Sequence, residues 1–176
     1  ESRSSAASDV YKRQIILLLG INKEELGGSE YLKIIHKLKR GKPPLIDLNL
    51  EKKVQKTTLE AIEKGLVRSA HDLSEGGLAV ALAESCITNP KKKVGAVINL
   101  EAGKIRKDAF LFGESQSRVI LSAKKSNVKN ILRIARKNKT TVSVIGKTGG
   151  DRLVIEGLIN QPLTLSLIHI SEPTRP

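Results

Sequence analysis

The chain is short of the residues that would place it in several classes. One cysteine, Cys86, stands among 176 residues, so no internal disulfide framework is available and a reducing compartment fits. It lies in the apolar stretch 78–87, where cysteine most often acts as a small buried hydrophobe. Aromatic side chains make up 2% of the chain and tryptophan is missing. The whole set is Tyr11, Tyr31, Phe110 and Phe112, and none is placed between basic residues as the stacking platforms of nucleic-acid modules are. No uninterrupted apolar run approaches the roughly 20 residues of a membrane span, so no membrane contact is expected. Acidic residues are in deficit too: 18 Asp and Glu against 31 Lys and Arg leave +13. That surplus favours an anionic partner, and the lack of aromatics puts a phosphorylated metabolite ahead of nucleic acid. Much of it lies at 91–93, 124–125 and 133–139, which read as solvated loops and helix faces.

What is present suits one soluble domain, since 39% hydrophobic and 28% charged residues are ordinary for a chain of this length. Residues 1–14 (ESRSSAASDVYKRQ) and 165–176 (LSLIHISEPTRP) carry no helical or strand periodicity and resemble translated sequencing-adapter read-through. The domain is therefore expected at 15–164. Ile15–Leu19 reads as a buried strand closed by Gly20, and Ser29 as the cap of a helix reaching Lys39. After the loop Gly41, Lys42, Pro43, Pro44, Asp47 caps a helix through Lys64 with Leu50, Val54, Ala61 and Ile62 at helical spacing, stopped by Gly65. A strand at 67–70 precedes a helix from near Leu78 to before Pro90. Strands at 94–100 and 118–123 follow, then a Ser126-capped helix with Val128, Ile131, Leu132 and Ala135 on one face. Strands at 141–145 and 152–155 end the pattern, with Gly149 to Arg152 expected as a hairpin turn. The alternation predicts an α+β (α/β layered) fold, a mixed β-sheet packed with helices, and no internal repeat.

Three polar, glycine-bearing stretches can carry chemistry. In 69–78 (SAHDLSEGGL) a strand end runs through a turn and two glycines into a helix. Unpaired amides and the positive end of the helix dipole make such a start an anion site, and glycine lets a phosphate come close. A tight turn that needs glycine only for its backbone angles is equally compatible. His71 beside Asp72 can orient a proton-transfer group, and Asp72 and Glu75 can reach a nucleotide-bound Mg²⁺. Helix capping by Asp72 or Ser74 is the simpler role. In 112–118 (FGESQSR) a carboxylate, hydroxyls, an amide and a guanidinium can fix a sugar phosphate, although exposed turns look alike. The stretch 26–31 (LGGSEY) repeats the motif of glycines before a capped helix.

Together these strings are more specific than any alone. ELGGSEYL (25–32), the KPP linker, VRSAHDLSEGGLAVALAES (67–85), LFGESQSRV (111–119) and IGKTGGDRLVI (145–155) resemble, in order and spacing, the last domain of the phosphoribosylformylglycinamidine synthase family, over roughly 15–157. The resemblance implies a domain of the aminoimidazole ribonucleotide synthetase-like superfamily, whose enzymes have two pseudo-symmetric halves. It implies a cytoplasmic ligase of purine biosynthesis: ATP, with Mg²⁺, phosphorylates the amide oxygen of formylglycinamide ribonucleotide, and ammonia displaces the phosphate to leave the amidine. A glutaminase subunit and a small accessory subunit are the implied partners. The family's general acid/base, main metal carboxylates and principal ATP loops lie N-terminal to the part seen here, so the chain reads as a fragment with no catalytic residue of its own. By motif, His71, Asp72, Ser74, Glu75, Gly76 and Gly77 correspond to a phosphate-facing turn, and Glu114, Ser115 and Gln116 to a substrate-side turn, of either the catalytic or an auxiliary nucleotide pocket. Sibling enzymes, namely aminoimidazole ribonucleotide synthetase, selenophosphate synthetase and thiamine-monophosphate kinase, are the alternative, with a basic nucleic-acid module further off.

Overall fold

The run of five aliphatic residues Ile15–Leu19 forms a strand buried on both sides, because successive side chains alternate between two covered faces. This strand, β1, lies third in a seven-stranded sheet of order β2-β4-β1-β5-β3-β6-β7 in the computed structural model, which describes residues 13–88 and 93–164. The other strands are β2 (Val67–Asp72), β3 (Ala96–Ile98), β4 (Val119–Ala123), β5 (Val142–Thr148), β6 (Arg152–Ile155) and β7 (Ile159–Pro162). All neighbours pair antiparallel except β3 and β6, which run parallel, so the sheet is mixed as expected.

Helices cover both faces. Ile16 and Leu18 join Ile120, Ile98 and Ile145 beneath α3 (Gly77–Ile87) and α4 (Lys107–Phe112). Leu17 and Leu19 join Leu121 and Ala123 beneath α2 (Leu48–Glu63) and α5 (Val128–Lys137). Each fully buried leucine here contributes about 1.5–3 kcal/mol relative to exposure. Asp47 caps α2, accepting from the amides of Asn49 and Leu50, which holds its carboxyl below the ordinary range.

Several expectations are corrected. The first helix, α1, spans only Glu30–Ile35: Ser29 caps it, but Lys37 turns left-handed at φ 56° and Leu38 N donates back to Leu32 O. Ile62 faces solvent, while Thr57 is buried and hydrogen-bonds Thr140. Ser126 does not cap α5; it is the middle residue of a single 3-10 turn, Lys125–Asn127, and its hydroxyl meets Asn127 Oδ1. The 149–152 segment is no hairpin turn, because β3 inserts between β5 and β6 and Gly95 exchanges backbone hydrogen bonds with Gly149 and Gly150. Short α4 and β7 went unpredicted. Gln14 is buried and, with Arg13, hydrogen-bonds Thr148 beside the start of β1. The remainder of the two suspect ends, and Lys91 and Lys92 of the basic run, lie outside the described residues.

Candidate functional site

Strand β2 runs on to Asp72, so His71 and Asp72 sit in the sheet opposite Ile120 and Val119 of β4. Strand alternation sends them to opposite faces. His71 Nε2 lies 3.2 Å from Glu84 Oε2 on α3, whereas Asp72 is exposed on the α2 side. The adjacent pair is thus not a His–Asp couple.

Beyond Leu73, Ser74 and Glu75 are exposed, and Gly76 and Gly77 take left-handed φ of 78° and 66° to open α3. A Cβ on Gly77 would stand 2.5 Å from Gly113 O and 2.9 Å from Phe112 C, and one on Gly76 would meet Val80 at 2.5 Å. The close approach at Gly77 is made by the chain's own backbone at the end of α4.

Glu114 ties the three stretches together. Its Oε1 accepts from Gly76 N and Glu30 N, each at 2.9 Å, so a carboxylate of this chain already sits between the starts of α1 and α3. A phosphate using the Gly76 amide would have to displace Glu114; otherwise it must bind amides further into α3.

Arg118 holds the turn that carries Glu114. It is 3% exposed and its guanidinium donates to Ser115 O at 2.8 Å, Gly113 O at 2.7 Å and Asn22 Oδ1 at 2.8 Å. Burial pulls its pKa down to about 10 against the opposing pull of Glu25 and Glu114, which leaves it cationic at neutral pH. Buried Ser115 donates to Lys23 O, Ser117 to Glu51 Oε2, and exposed Gln116 to Glu114 O. Of this turn's polar side chains Gln116 is exposed and Glu114 half-buried, while the guanidinium expected to meet a ligand points inward.

The sequence reading missed Glu25 and Asn22. Glu25 Oε1 accepts from Leu45 N, while its Oε2 is buried with no hydrogen-bond partner among the described residues. Glu25 also lines a cavity of about 760 Å³ with Tyr31, His36, Arg40, Lys42 and Arg106. Tyr31 stacks on Phe112 at 4.8 Å, joining α1 to α4. Cys86 is buried as expected, which pushes its thiol up to about 11 and makes it a poor nucleophile. Among the described residues no three His, Cys, Asp or Glu side chains gather as a metal site, and no helix is long and apolar enough to cross a membrane.

Known proteins resemble this chain in sequence and fold. The family described as AIR synthase related protein, C-terminal domain, matches residues 14–157. Phosphoribosylformylglycinamidine synthase subunit PurL of Caldanaerobacter subterraneus is 43% identical over 145 residues, covering 82% of this chain and 19% of that protein. The same subunit of Thermomicrobium roseum is 44% identical over 152 residues, covering 85% and 20%. The chain therefore spans about a fifth of the length of these curated relatives. Thermotoga maritima PurL complexed with FGAR shares the fold, with a TM-score of 0.72 at 23% identity over 88% of this chain and 27% of that one. On the extent of the family match, the chain belongs to the AIR synthase related proteins, as their C-terminal domain.

Proposed function

We propose that this chain is the C-terminal domain of the synthetase subunit of a phosphoribosylformylglycinamidine synthase, in which formylglycinamide ribonucleotide, ATP and ammonia give the amidine. The observation that carries this reading is the convergence of three separated motifs on one carboxylate, Glu114, in a chain more than 40% identical to PurL subunits. Sibling enzymes share the domain, but the identity over 145 residues or more favours the synthase.

Within that enzyme the domain supplies a rigid wall. Gly76, Gly77, Glu114, Ser115 and Arg118 form its framework. Ser74, Glu75 and Gln116, with His71 on the α3 side of the strand end, form the polar rim nearest a nucleotide or substrate phosphate, while Asp72 points to the other face of the sheet. No three metal-ligating side chains gather among the described residues, and a nucleotide-bound Mg²⁺ would take at most a single carboxylate from the exposed turn, Glu75. The ion's other ligands belong to the nucleotide phosphates and to carboxylates elsewhere in the enzyme, in the cytoplasm where purines are made. A glutaminase subunit would deliver the ammonia, with a small accessory subunit as the other partner in the complex.

The test is a chimera in which residues 14–157 replace the matching segment of the Caldanaerobacter subunit, assayed for amidine formation with ATP and an ammonium salt. Turnover by the chimera and none by the isolated chain are expected. A folded, inactive chimera would sink the assignment.

A further inference from the structure

Helix α1 stands between two cavities of opposite charge. Glu30, Ile34 and Ile35 line the first, of about 340 Å³, whose charged side chains are all carboxylates: Glu30, Glu75 and Glu84. The amide of Gly76, on the same wall, is already bonded to Glu114. Ser29 and Lys33 line the second, of about 370 Å³, whose charged side chains are all cations: Lys33, Lys39 and Arg40. An anion without a bridging metal ion is repelled from the first and drawn to the second.

The basic cavity is framed by residues 38–42 (LKRGK), a strap fixed through its backbone. Leu38 N donates to Leu32 O and Gly28 N donates to Arg40 O at 3.1 Å. Gly27 and Gly41 meet so closely that a Cβ on Gly27 would overlap Lys42 O and one on Gly41 would overlap Gly27 Cα. The side chains are left free: Lys33 is paired with Glu30, but Lys39, Arg40 and Lys42 form no hydrogen bond or ion pair among the described residues. By contrast, Lys137 of the 133–139 run already pairs with Glu60. Cations held together without a counter-charge repel one another, and a bound anion relieves that repulsion. A guanidinium meets a phosphate through two parallel hydrogen bonds, and Gly28 and Gly41 on the wall let it come close.

The neighbouring space says what the phosphate is attached to. The basic cavity shares Leu38, Arg40 and Gly41 with the larger one of about 760 Å³, where exposed Glu24 offers an acceptor to hydroxyl groups. An aromatic base finds less there, because the Tyr31 ring is already stacked on Phe112 and met edge-on by His36. We propose that the strap cavity binds a small sugar phosphate, with the phosphate on Lys39 and Arg40 and the hydroxyls toward Glu24. The proposal rests on charge and shape and is independent of the reaction assigned above.

Amide chemical shifts of the isotope-labelled full chain test it, with a ribose phosphate, inorganic phosphate or ribose added at constant ionic strength. The ribose phosphate is expected to move amides within 24–42, to bind at least threefold tighter than inorganic phosphate, and to leave ribose without effect at the same concentration. Arg40→Ala and, separately, Lys39→Ala should each weaken it at least fivefold, while Lys124→Ala with Lys125→Ala, an exposed basic pair elsewhere, changes it less than twofold. Neither Arg40 nor Lys39 has a side-chain partner to lose, and the same spectra report whether each variant is folded. Equal weakening by the Lys124 and Lys125 substitutions overturns the proposal by showing general attraction to a basic surface. Shifts centred on Gly76 and Gly77 overturn it by placing the anion at α3, and equal affinity for inorganic phosphate overturns it by removing the sugar. A random oligonucleotide that moves the same amides at a tenfold lower concentration overturns it by making nucleic acid the occupant.

Discussion

The two faces of the sheet are closed by different means. On one, α2 and α5 meet the sheet through aliphatic side chains, a capping aspartate and one buried threonine pair. On the other, α3 and α4 are joined by backbone approaching backbone at Gly77 and Gly113, by a carboxylate shared between two helix starts, and by a buried arginine. The first face holds its helices in place with contacts that tolerate exchange among similar residues. The second spends polar groups and left-handed residues to fix a turn in one geometry, the arrangement found where a fold presents a site.

Arg118 should show the largest contrast. Arg118→Ala removes donors from three acceptors and a cation from beside Glu25 and Glu114, so a loss of about 3–5 kcal/mol is expected in urea denaturation. Arg118→Lys should recover less than half of it, because an ammonium cannot span the three acceptors. A loss below about 1 kcal/mol for the alanine variant would mean that water takes over these bonds and that the second face is no more specified than the first.

Two glycines of equal conformation sharpen the point. Gly28 and Gly77 have φ of 72° and 66°, but a Cβ on Gly28 meets nothing within 4 Å while one on Gly77 meets Gly113 O. Gly28→Ala should cost about 1 kcal/mol, the penalty of the backbone angle alone, and Gly77→Ala about 2–4 kcal/mol. Equal costs would show that Gly77 serves only its turn and that close packing against α4 contributes nothing.

The same division marks what the sequence discloses. Periodic apolar residues and caps announce α2, β1, β4 and the mixed sheet, because each signal is local. Gly149 and Gly150 look like a hairpin turn since nothing nearby tells of β3 arriving from 50 residues earlier. The chemical stretches are visible as strings of Gly, Ser, Glu and Arg. That Glu114 turns inward to Gly76 N and Glu30 N is a long-range fact, separated by 38 and 84 residues, which spacing cannot carry.

Thr57 tests the polar content of the quieter face. Its hydroxyl lies 2.7 Å from Thr140 Oγ1 in a fully buried position. Thr57→Val keeps the shape and leaves Thr140 its bond to Lys53 O, so a loss of about 1 kcal/mol is expected by the same urea measurement. A loss above about 3 kcal/mol would place a second critical polar link on this face and erase the contrast with Arg118.

The smallest effect is the pH dependence carried by Glu60, which links α2 to α5. Its carboxylate accepts from Lys64 Nζ at 2.7 Å, from Asn138 Nδ2 at 3.2 Å and from Lys137 Nζ at 3.2 Å, and these bonds hold its pKa down to about 2, from an ordinary value of 4.5. A carboxyl more acidic in the folded chain than in the unfolded one stabilises the fold fully above the unfolded value. That contribution is lost as pH falls through the folded value. The stability difference between the wild type and Glu60→Gln should therefore be constant from neutral pH to about 5, shrink between 4.5 and 2, and weaken further in 0.5 M salt because the cations are exposed. Urea midpoints of both proteins across that range give the answer. A difference that stays flat to pH 2 would mean that the charge on Glu60 does not join the helices, and that the α2–α5 face stands on its apolar contacts and the threonine pair alone.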